Sequence, residues 1–494
     1  MPSLVKLSKL TREGFALDFI PPRRWASHFS FTDSLQAFLL QPGLPFASVI
    51  DERQIACVFR KHGCSMLGIY STAIVLWAFM SQVLRDGKEA SCQSAVARVV
   101  AYLTSRGRIA PESDTGNYCR ARAKLPEAAL HELASQVASE SESLAKPTWL
   151  FKGRLHAKLV DGFTFKMPDT PDNQSEYPQH TAQKPGLGFP IARVTAILSL
   201  ATGCLLAAAI GPFSGKESGE TSLFRQLLSH FTKGDVVVAD RYFCSYWLVV
   251  FLTRTGAHVC FRKKKTRHTD FRKGRRLGKQ DHIVKWKRPV RPPWMSKEVY
   301  QDMPKEIELR EMKYAIEAPG RKSGPFVIVT TMLDHEGDDA VSYQDIADLF
   351  GFRWNAELDI RSIKTFMNLN FVRCKSPEMV RREFWITILS YNLIRTTIAT
   401  AAALHDKKPR QISYVSACQY VLASWQELRS SDDADQQMSY CRLLLEQIAS
   451  CSVGLRPGRF EPRVVKRRRD QYQLMVQPRA KLRKRLAKGD NRFE

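Results

Sequence analysis

Apolar residues recur every three to four positions through most of the first 145 residues, and this is the period of helices with one buried face. The pattern predicts an N-terminal helical domain over residues 1–145. Basic residues between these helices leave two interpretations open, a small helical bundle and a domain that binds DNA. The stretches that carry the period are SMLGIYSTAIVLWAFMSQVL, SCQSAVARVVAYLTSRG and LPEAALHELASQVASESESL.

From residue 146 the pattern changes to alternating apolar and polar residues, which is typical of strands. Three strand-like runs come first, in GRLHAKLVDGFTFKMP and in the two halves of PIARVTAILSLATGCLLAAAIGPF. They are followed by a helix, a Val-rich strand, a second helix and a further strand, in ETSLFRQLLSHF, GDVVVADRYF, SYWLVVFLTRTG and AHVCFRKK. This order predicts a mixed α/β domain whose first part covers residues 146–261.

Residues 262–335 are irregular and dense in Lys and Arg, and strand character returns only in EIELREMKYAIEA and GPFVIVTTML. We interpret this segment as a β-rich basic insertion. Residues 336–405 return to the α/β domain through a helix that begins near SYQDIADLF, where Ser342 and Asp345 are placed as in a capping box. Residues 406–494 are predicted to form a C-terminal helical region that ends in a basic tail.

The charge balance narrows the classes of partner. Lys and Arg number 75 against 49 Asp and Glu, which gives a formal net charge of +26 and points to nucleic acid or another anionic surface. No apolar run reaches the ~20 residues of a membrane helix, and the N-terminus lacks the apolar core of a secretory signal. The 11 cysteines are scattered without a Cys-x-x-Cys pair. We therefore expect a cytoplasmic protein with reduced thiols and no contact with a membrane.

Three acidic residues stand where a catalytic site could form. Asp161 and Asp240 are predicted to end strands, in LVDG and VVAD, and Glu357 lies on a later predicted helix. An aspartate after a strand is often only a turn former. Three converging carboxylates could instead hold two Mg²⁺ ions, because hard cations prefer oxygen ligands and a metal pair can drive phosphodiester displacement.

The surroundings of Glu357 carry two interpretations. On one continuous helix from Asp348 to Phe366, Phe350, Arg353, Arg361 and Lys364 would share its face, since they stand at −7, −4, +4 and +7. The set could be a surface ladder of ion pairs, each contributing about 0.2–0.5 kcal/mol. It could equally be a catalytic carboxylate among side chains that hold a polyanion.

These motifs together resemble the DDE transposases of bacterial insertion sequences, within them the insertion-sequence-four family. The family signature Tyr-x2-Arg-x3-Glu-x6-Lys is matched at three of four positions by Phe350, Arg353, Glu357 and Lys364, with Phe in place of Tyr. The contexts DGFTF and ADRYF of the two aspartates also match, and the resemblance covers roughly residues 110–400. It implies an RNase H-like catalytic core interrupted by a β-rich insertion.

The resemblance also implies roles. Asp161, Asp240 and Glu357 would be catalytic and would bind two Mg²⁺ ions, with Mn²⁺ able to replace them. The partners would be double-stranded DNA with terminal inverted repeats and target DNA, and the active species a homodimer in a synaptic complex near the bacterial nucleoid. Phe326 would be the base-flipping aromatic residue of the insertion, with Trp286 and Trp294 as rivals and a core position as the alternative. The residues expected to contact DNA are Arg353, Lys364, Arg361, Phe350, Phe326 and Arg241.

Two other functions remain open from the sequence. One is a non-catalytic DNA-binding protein derived from a transposase. The other is an RNase H-like nuclease that cuts DNA without strand transfer. The presence of all three acids, with their Arg and Lys neighbours, favours the transposase.

Overall fold

A computed structural model describes residues 52–105, 107–315, 317–318, 321–322, 325–337, 340–427, 434–454 and 477–489. The predictions for the N-terminal 51 residues and for most of the basic tail lie outside these residues. The chain divides into two compact units. The first unit consists of Met1–Ala145, Thr202–Leu205 and Arg361–Val453, and the second of Lys146–Ala201, Leu206–Ile360 and Gly454–Glu494.

Helices build the described part of the first unit before residue 145, as the apolar period predicts. The second of them is buried along its whole length, and its first turn is capped by the Ser71 side chain, which accepts a hydrogen bond from the amide of Ile74. A buried helix that is apolar on all sides forms the centre of a bundle. The five helices are α1 (Glu52–Lys61), α2 (Thr72–Val83), α3 (Cys92–Ser105), α4 (Gly116–Ala123) and α5 (Glu127–Ser143).

The second unit is built on one nine-stranded sheet, with the strand order β3-β2-β1-β4-β5-β11-β8-β7-β6. Strands and helices are mixed along the chain through residue 330. They are β1 (His156–Lys166), α6 (Pro171–Glu176), β2 (Ile191–Ser199), β3 (Leu205–Pro212), α7 (Glu220–Arg225), β4 (Asp235–Ala239), α8 (Tyr246–Arg254), β5 (His258–Arg262), β6 (Arg275–Gly278), β7 (Asp281–Lys287), α9 (Lys297–Asp302), β8 (Glu306–Tyr314), β9 (Glu317–Ala318), β10 (Arg321–Lys322) and β11 (Phe326–Thr330).

The first five strands have the order and direction of an RNase H-like core. Strand β2 pairs antiparallel with β1, whereas β4 pairs parallel with β1 and β5 pairs parallel with β4. The two parallel pairs need crossover connections, and α7 and α8 lie in them. The predicted mixed α/β core is confirmed.

The strands of the insertion extend the same sheet. Strand β11 pairs antiparallel with β5 on one side and with β8 on the other, and β7 and β6 follow. Apolar side chains from both parts of the sheet share one core, which includes Val237, Phe243 and Val259 from the first part and Trp286 and Leu309 from the insertion. The insertion therefore has no separate core among the described residues.

The segment around Glu357 is not the single helix that the spacing predicts. Helix α10 (Tyr343–Gly351) ends before Arg353, and α11 (Trp354–Arg361) begins after it. A π-helical turn, Ser362–Phe366, follows α11. The capping box at Ser342 and Asp345 is present, since each side chain accepts a hydrogen bond from the other residue's amide. Phe350 and Glu357 thus lie on different helices, and the α-helical period ends at Arg361.

The remaining helices are α12 (Pro377–Leu404), α13 (Tyr414–Glu427), α14 (Ala434–Ser450) and α15 (Arg479–Ala487). Helix α12 is the longest of the described helices, and all but a few of its side chains are buried. Helix α15 shows that part of the predicted basic tail is helical, and Arg479 pairs with Asp169 at 3.1 Å. None of the described helices has both the length and the hydropathy that a membrane span requires.

Candidate active site

Asp161 and Asp240 stand side by side on neighbouring parallel strands. The last paired residues of β1 and β4 are Val160 and Ala239, so Asp161 and Asp240 occupy the next register position. Paired strands lie about 4.8 Å apart, and residues in register point to the same face of a sheet. The strand pairing therefore brings together two acids that are 79 positions apart in the sequence.

Asp240 directly follows the last residue of β4, as predicted, but Asp161 does not end a strand. Strand β1 continues for five residues beyond it, to Lys166, because its second half stays paired with β2 as far as the Lys166 and Ile191 pair. Only the parallel pairing with β4 stops at this point. Asp161 is thus a mid-strand residue, and β4 does not pair with β1 beyond it.

Arg353 joins the helix that carries Glu357 to the strand that carries Asp161. Its guanidinium lies 2.8 Å from Oε1 of Glu357 and 3.7 Å from Oδ2 of Asp161, measured from Nη2 and Nη1. The side chain of Arg353 is 19% exposed, that of Asp161 23% and that of Glu357 36%. The turn between α10 and α11 puts the guanidinium in a partly buried position, where its charge is weakly screened.

The electrostatic state of Asp161 is unusual for an aspartate. The pKa of Asp161 is raised to about 6, mainly by burial, and the charges of Glu357 and Glu220 contribute to the rise. The Gly162 amide, which donates a hydrogen bond to Oδ1 at 2.9 Å, and Arg353 both act in the opposite direction. Burial thus disfavours the charged form of Asp161, and an added cation would stabilise that form.

Glu220, which the sequence reasoning missed, contributes to this raised pKa. It is the first residue of α7, and its side chain lies against the backbone of Gly162, next to Asp161. Its pKa is raised by burial, lowered by Arg193 and raised by Asp240. The available signal was an acidic residue at the start of a helix after β3, but only the fold brings it to β1.

The side chains expected to contact DNA fall into two groups. Arg241 and Arg361 are exposed, and Lys364 is half-buried in the π-helical turn. Phe350 and Phe326 are buried, with exposed fractions of 7% and 8%, and their rings pack on each other at 5.4 Å. Arg262 covers a face of Phe326 at 4.8 Å. Base stacking on Phe326 would therefore require this ring to be uncovered.

The two tryptophan rivals also differ in exposure. Trp286 is buried and donates a hydrogen bond from Nε1 to Glu311 at 2.7 Å. Trp294 is 37% exposed, and the guanidinium of Arg225 lies 4.2 Å from its ring centre. Of the three aromatic residues considered for base flipping, Phe326, Trp286 and Trp294, the last is the most exposed.

The donor set fits divalent metal ions by its chemistry. The acidic side chains offer carboxylate oxygens, which Mg²⁺ and Mn²⁺ prefer as ligands. Burial raises the pKa of Asp161 and of Glu220, so bound cations would stabilise the charged forms of these groups. Within the described residues, no three His, Cys, Asp or Glu side chains are arranged as a ready coordination shell. Asp161, Asp240 and Glu357 are the residues that could hold a metal, and Arg353 is the cation that now contacts two of them.

Comparisons with known proteins identify similar sequences. Residues 156–393 match the family model described as the transposase DDE domain. The chain is 27% identical over 319 residues to the transposase InsG for insertion sequence element IS4 of Escherichia coli strain K12, which covers 63% of this chain and 68% of that protein.

A solved structure, the cryo-EM synaptic complex of the piggyBac transposase with hairpin DNA, is also similar. It is 10% identical, covers 89% of this chain and 88% of the other, and has a TM-score of 0.41. A score of this size does not establish a shared fold.

Proposed function

Since the chain belongs to the insertion-sequence-four family of DDE transposases, we propose that it moves an insertion sequence by a cut-and-paste route. In this route the enzyme binds the inverted repeats, cleaves the DNA at the ends of the element and joins the freed 3′-hydroxyl groups to target DNA. Membership of the family makes the protein a DNA-cleaving and strand-transferring enzyme that depends on divalent metal ions. The order of cuts and the metal are parts of our proposal.

One observation carries the proposal. Asp161 and Asp240 occupy adjacent register positions on parallel strands, and Arg353 links Asp161 to Glu357. These contacts support a convergence of three acids from distant parts of the chain near the edge where β4 ends. We assign Asp161, Asp240 and Glu357 the role of holding two Mg²⁺ ions, for which Mn²⁺ could substitute.

Bound divalent ions would supply stabilisation of the charge on the attacking and leaving oxygens of the phosphodiester. The chain's own groups would position the DNA. Because Arg353 contacts two of the three acids, we propose that it turns to a DNA phosphate when cations neutralise those acids. A guanidinium can bind phosphate with two parallel hydrogen bonds, so the same side chain serves both states.

Further contacts with DNA would come from three other cations. Arg241 follows Asp240, and Arg361 and Lys364 follow Glu357 in the chain. Such contacts give affinity but little sequence choice. A flipped base would stack on Phe326, if its ring became uncovered, or on Trp294. Phe350 would support Phe326 through the contact between their rings.

Two element ends must be cut together, so we propose a homodimer assembled on paired ends. A cytoplasmic site of action at the bacterial nucleoid follows from the same proposal. Both are tested by the mass of the purified complex with end DNA and by the location of a tagged protein in cells.

The central experiment compares three variants on end DNA in Mg²⁺. We expect Asp161→Asn and Glu357→Gln to lose at least about 10³-fold in cleavage rate and to keep end binding, because removal of one such electrostatic group costs about that much. Glu336→Gln is the control, since that side chain is 89% exposed and does not belong to the carboxylate cluster of Asp161, Asp240, Glu220 and Glu357. Cleavage by either of the first two variants at the wild-type rate would contradict the proposal.

A second incubation separates the two alternative functions. Precut ends and a supercoiled plasmid should give joined products with the wild type. A nuclease without strand transfer would cut but give none. A non-catalytic DNA-binding protein would neither cut nor join, and its binding would be unchanged in Asp161→Asn.

A further inference from the structure

The carboxyl group of Glu220 fills the space that a side chain at Gly162 would occupy. A Cβ atom at Gly162 would lie 2.4 Å from Cδ of Glu220 and 2.6 Å from its Oε1, far inside contact distance. Gly162 is the residue after Asp161, so the carboxylate of Glu220 lies against the backbone of the residue next to Asp161. The absence of a side chain at position 162 makes this close approach sterically allowed.

The backbone of Glu220 is held to the same strands. Residue 162 of β1 is paired in register with Thr195 of β2, and the Thr195 hydroxyl donates a hydrogen bond to the Glu220 carbonyl at 3.2 Å. Two residues along β2, Arg193 donates to the carbonyl of Ser218 at 2.8 Å. The start of α7 is therefore fixed to β2 on either side of Gly219, and the position of Glu220 follows from the sheet.

Glu220 lies within electrostatic reach of two of the three assigned metal ligands. Its charge contributes to the raised pKa of Asp161, and the charge of Asp240 contributes to the raised pKa of Glu220. Among the described residues its carboxylate has no hydrogen bond and no ion pair, and only the nearby charge of Arg193 opposes the effects of burial and of Asp240. A cation bound beside this partly buried carboxylate would therefore stabilise its charged form.

We propose that Glu220 is a fourth acidic ligand of the divalent-metal site, between Asp161 and Asp240. This inference rests on the proposed function and deepens it. The formal charge of four carboxylates is equal and opposite to that of two divalent cations. Three carboxylates would leave a net positive charge at the metal site. Glu220 thereby explains why Gly162 follows the first aspartate, since any other residue would displace the fourth ligand.

The first test measures binding of Mn²⁺ alone to the full chain by calorimetry, without DNA and without a cleavage readout. We expect Glu220→Gln to weaken Mn²⁺ binding about tenfold or more, in the range seen when groups around a metal site are removed. Glu217→Gln is the matched control, because Glu217 is three residues earlier, exposed and paired with Arg225 at 3.5 Å. An unchanged affinity in Glu220→Gln overturns the inference.

Asp161→Asn in the same experiment distinguishes an error about the fourth ligand from an error about the whole metal site. If Asp161→Asn weakens Mn²⁺ binding and Glu220→Gln does not, only the fourth ligand is refuted. If neither variant alters Mn²⁺ binding, the metal site of the proposed function is refuted as well. Thermal unfolding with EDTA checks that each variant is folded.

The second test uses Gly162→Ala, which should push the Glu220 carboxylate aside without removing any charge. We expect it to weaken Mn²⁺ binding in the wild type, but to have little further effect in a Glu220→Ala background, where the colliding atoms are gone. Such non-additivity is the signature of two residues acting through one contact. Additive losses would overturn the inference, because Gly162 would then act independently of Glu220.

Discussion

In the insertion strands each of two buried acids has its own cation, whereas the acids around Asp161 share one. Arg310 binds Asp281 through two hydrogen bonds of 2.9 and 2.6 Å, and Lys263 lies 2.6 Å from Glu311. Around Asp161, Arg353 is the one cation of the described residues that pairs directly with both Asp161 and Glu357. Both groups lie in the second unit.

The difference distinguishes charges that hold strands together from charges that are suited to bind a ligand. A buried pair with complete hydrogen bonding needs nothing from outside the chain, and its role is to hold strands β7, β8 and β5 in register. A group of acids with too few cations is unfavourable until positive charge arrives. The pairing of carboxylates with cations thus distinguishes these two regions without reference to a motif.

The largest effect should follow from breaking a matched pair. Arg310→Met leaves Asp281 buried and unpaired, so we expect the free energy of unfolding to fall by about 3–5 kcal/mol. Urea unfolding at pH 7.5 measures this loss. The double variant Asp281→Leu/Arg310→Met should recover much of the stability, since no buried charge remains unpaired. A single-variant loss below about 1 kcal/mol would remove the contrast with the carboxylate cluster.

Removal of a charge at Asp161 is expected to raise the free energy of unfolding, whereas removal of the Arg310 charge lowers it. The pKa of Asp161 is raised from 3.8 to about 6, so this group stabilises the folded chain below pH 3.8, and the contribution is lost as pH rises through 6. Asp161→Asn should therefore raise the free energy of unfolding at pH 7.5 by about 1–2 kcal/mol and change it little below pH 4.

Urea unfolding with EDTA at the two pH values checks this sign. The asparagine oxygen can still accept the hydrogen bond from Gly162, so the substitution removes charge alone. A loss of stability at pH 7.5 would mean that Asp161 is as well neutralised as Asp281.

A smaller effect should come from Arg353, which competes with metal ions for the same carboxylates. We expect Arg353→Gln to tighten Mn²⁺ binding without DNA by about three- to tenfold, which corresponds to about 1 kcal/mol for a partly exposed pair. The same variant should bind end DNA more weakly. Calorimetry and gel-shift titration measure the two effects, and weaker binding of both partners would show that Arg353 supports the acids instead of competing.

The smallest effect concerns Lys364. Its substitution by Ala should weaken binding to any duplex by a similar factor and lower the slope of log K against log salt by about 1, as expected for one phosphate contact. Binding titrations at several salt concentrations give this slope. An unchanged slope would favour the surface ladder of ion pairs that the spacing around Glu357 also allows.

Local patterns in the sequence were sufficient for the order of elements. The alternation in β1, the Val run of β4 and the capping box at Ser342 all predict what the structure contains. The Asp-Gly pair at 161 is a common turn signal and led to a predicted strand end there. Phe163 and Phe165, which continue the alternation and are buried, carry the correct signal.

Features that depend on contacts between distant segments could not be predicted. The helix boundaries before Trp354 and after Arg361 do not interrupt the spacing of apolar residues. The charged and apolar residues there are compatible with one continuous helix and with the separate helices that the structure contains. Glu220 reaches Asp161 only through the pairing of β1 with β2. The join of the insertion to the core sheet likewise requires the pairing of β11 with β5.

That join has a consequence for synthesis of the chain. Strand β5 is complete at Arg262, but its partner β11 begins at Phe326, so the ribosome makes more than sixty residues before the edge of β5 is covered. An open edge of this kind invites pairing with other chains. Products of a gene truncated inside the insertion should therefore aggregate, and should not persist as soluble competitors for the ends of the element.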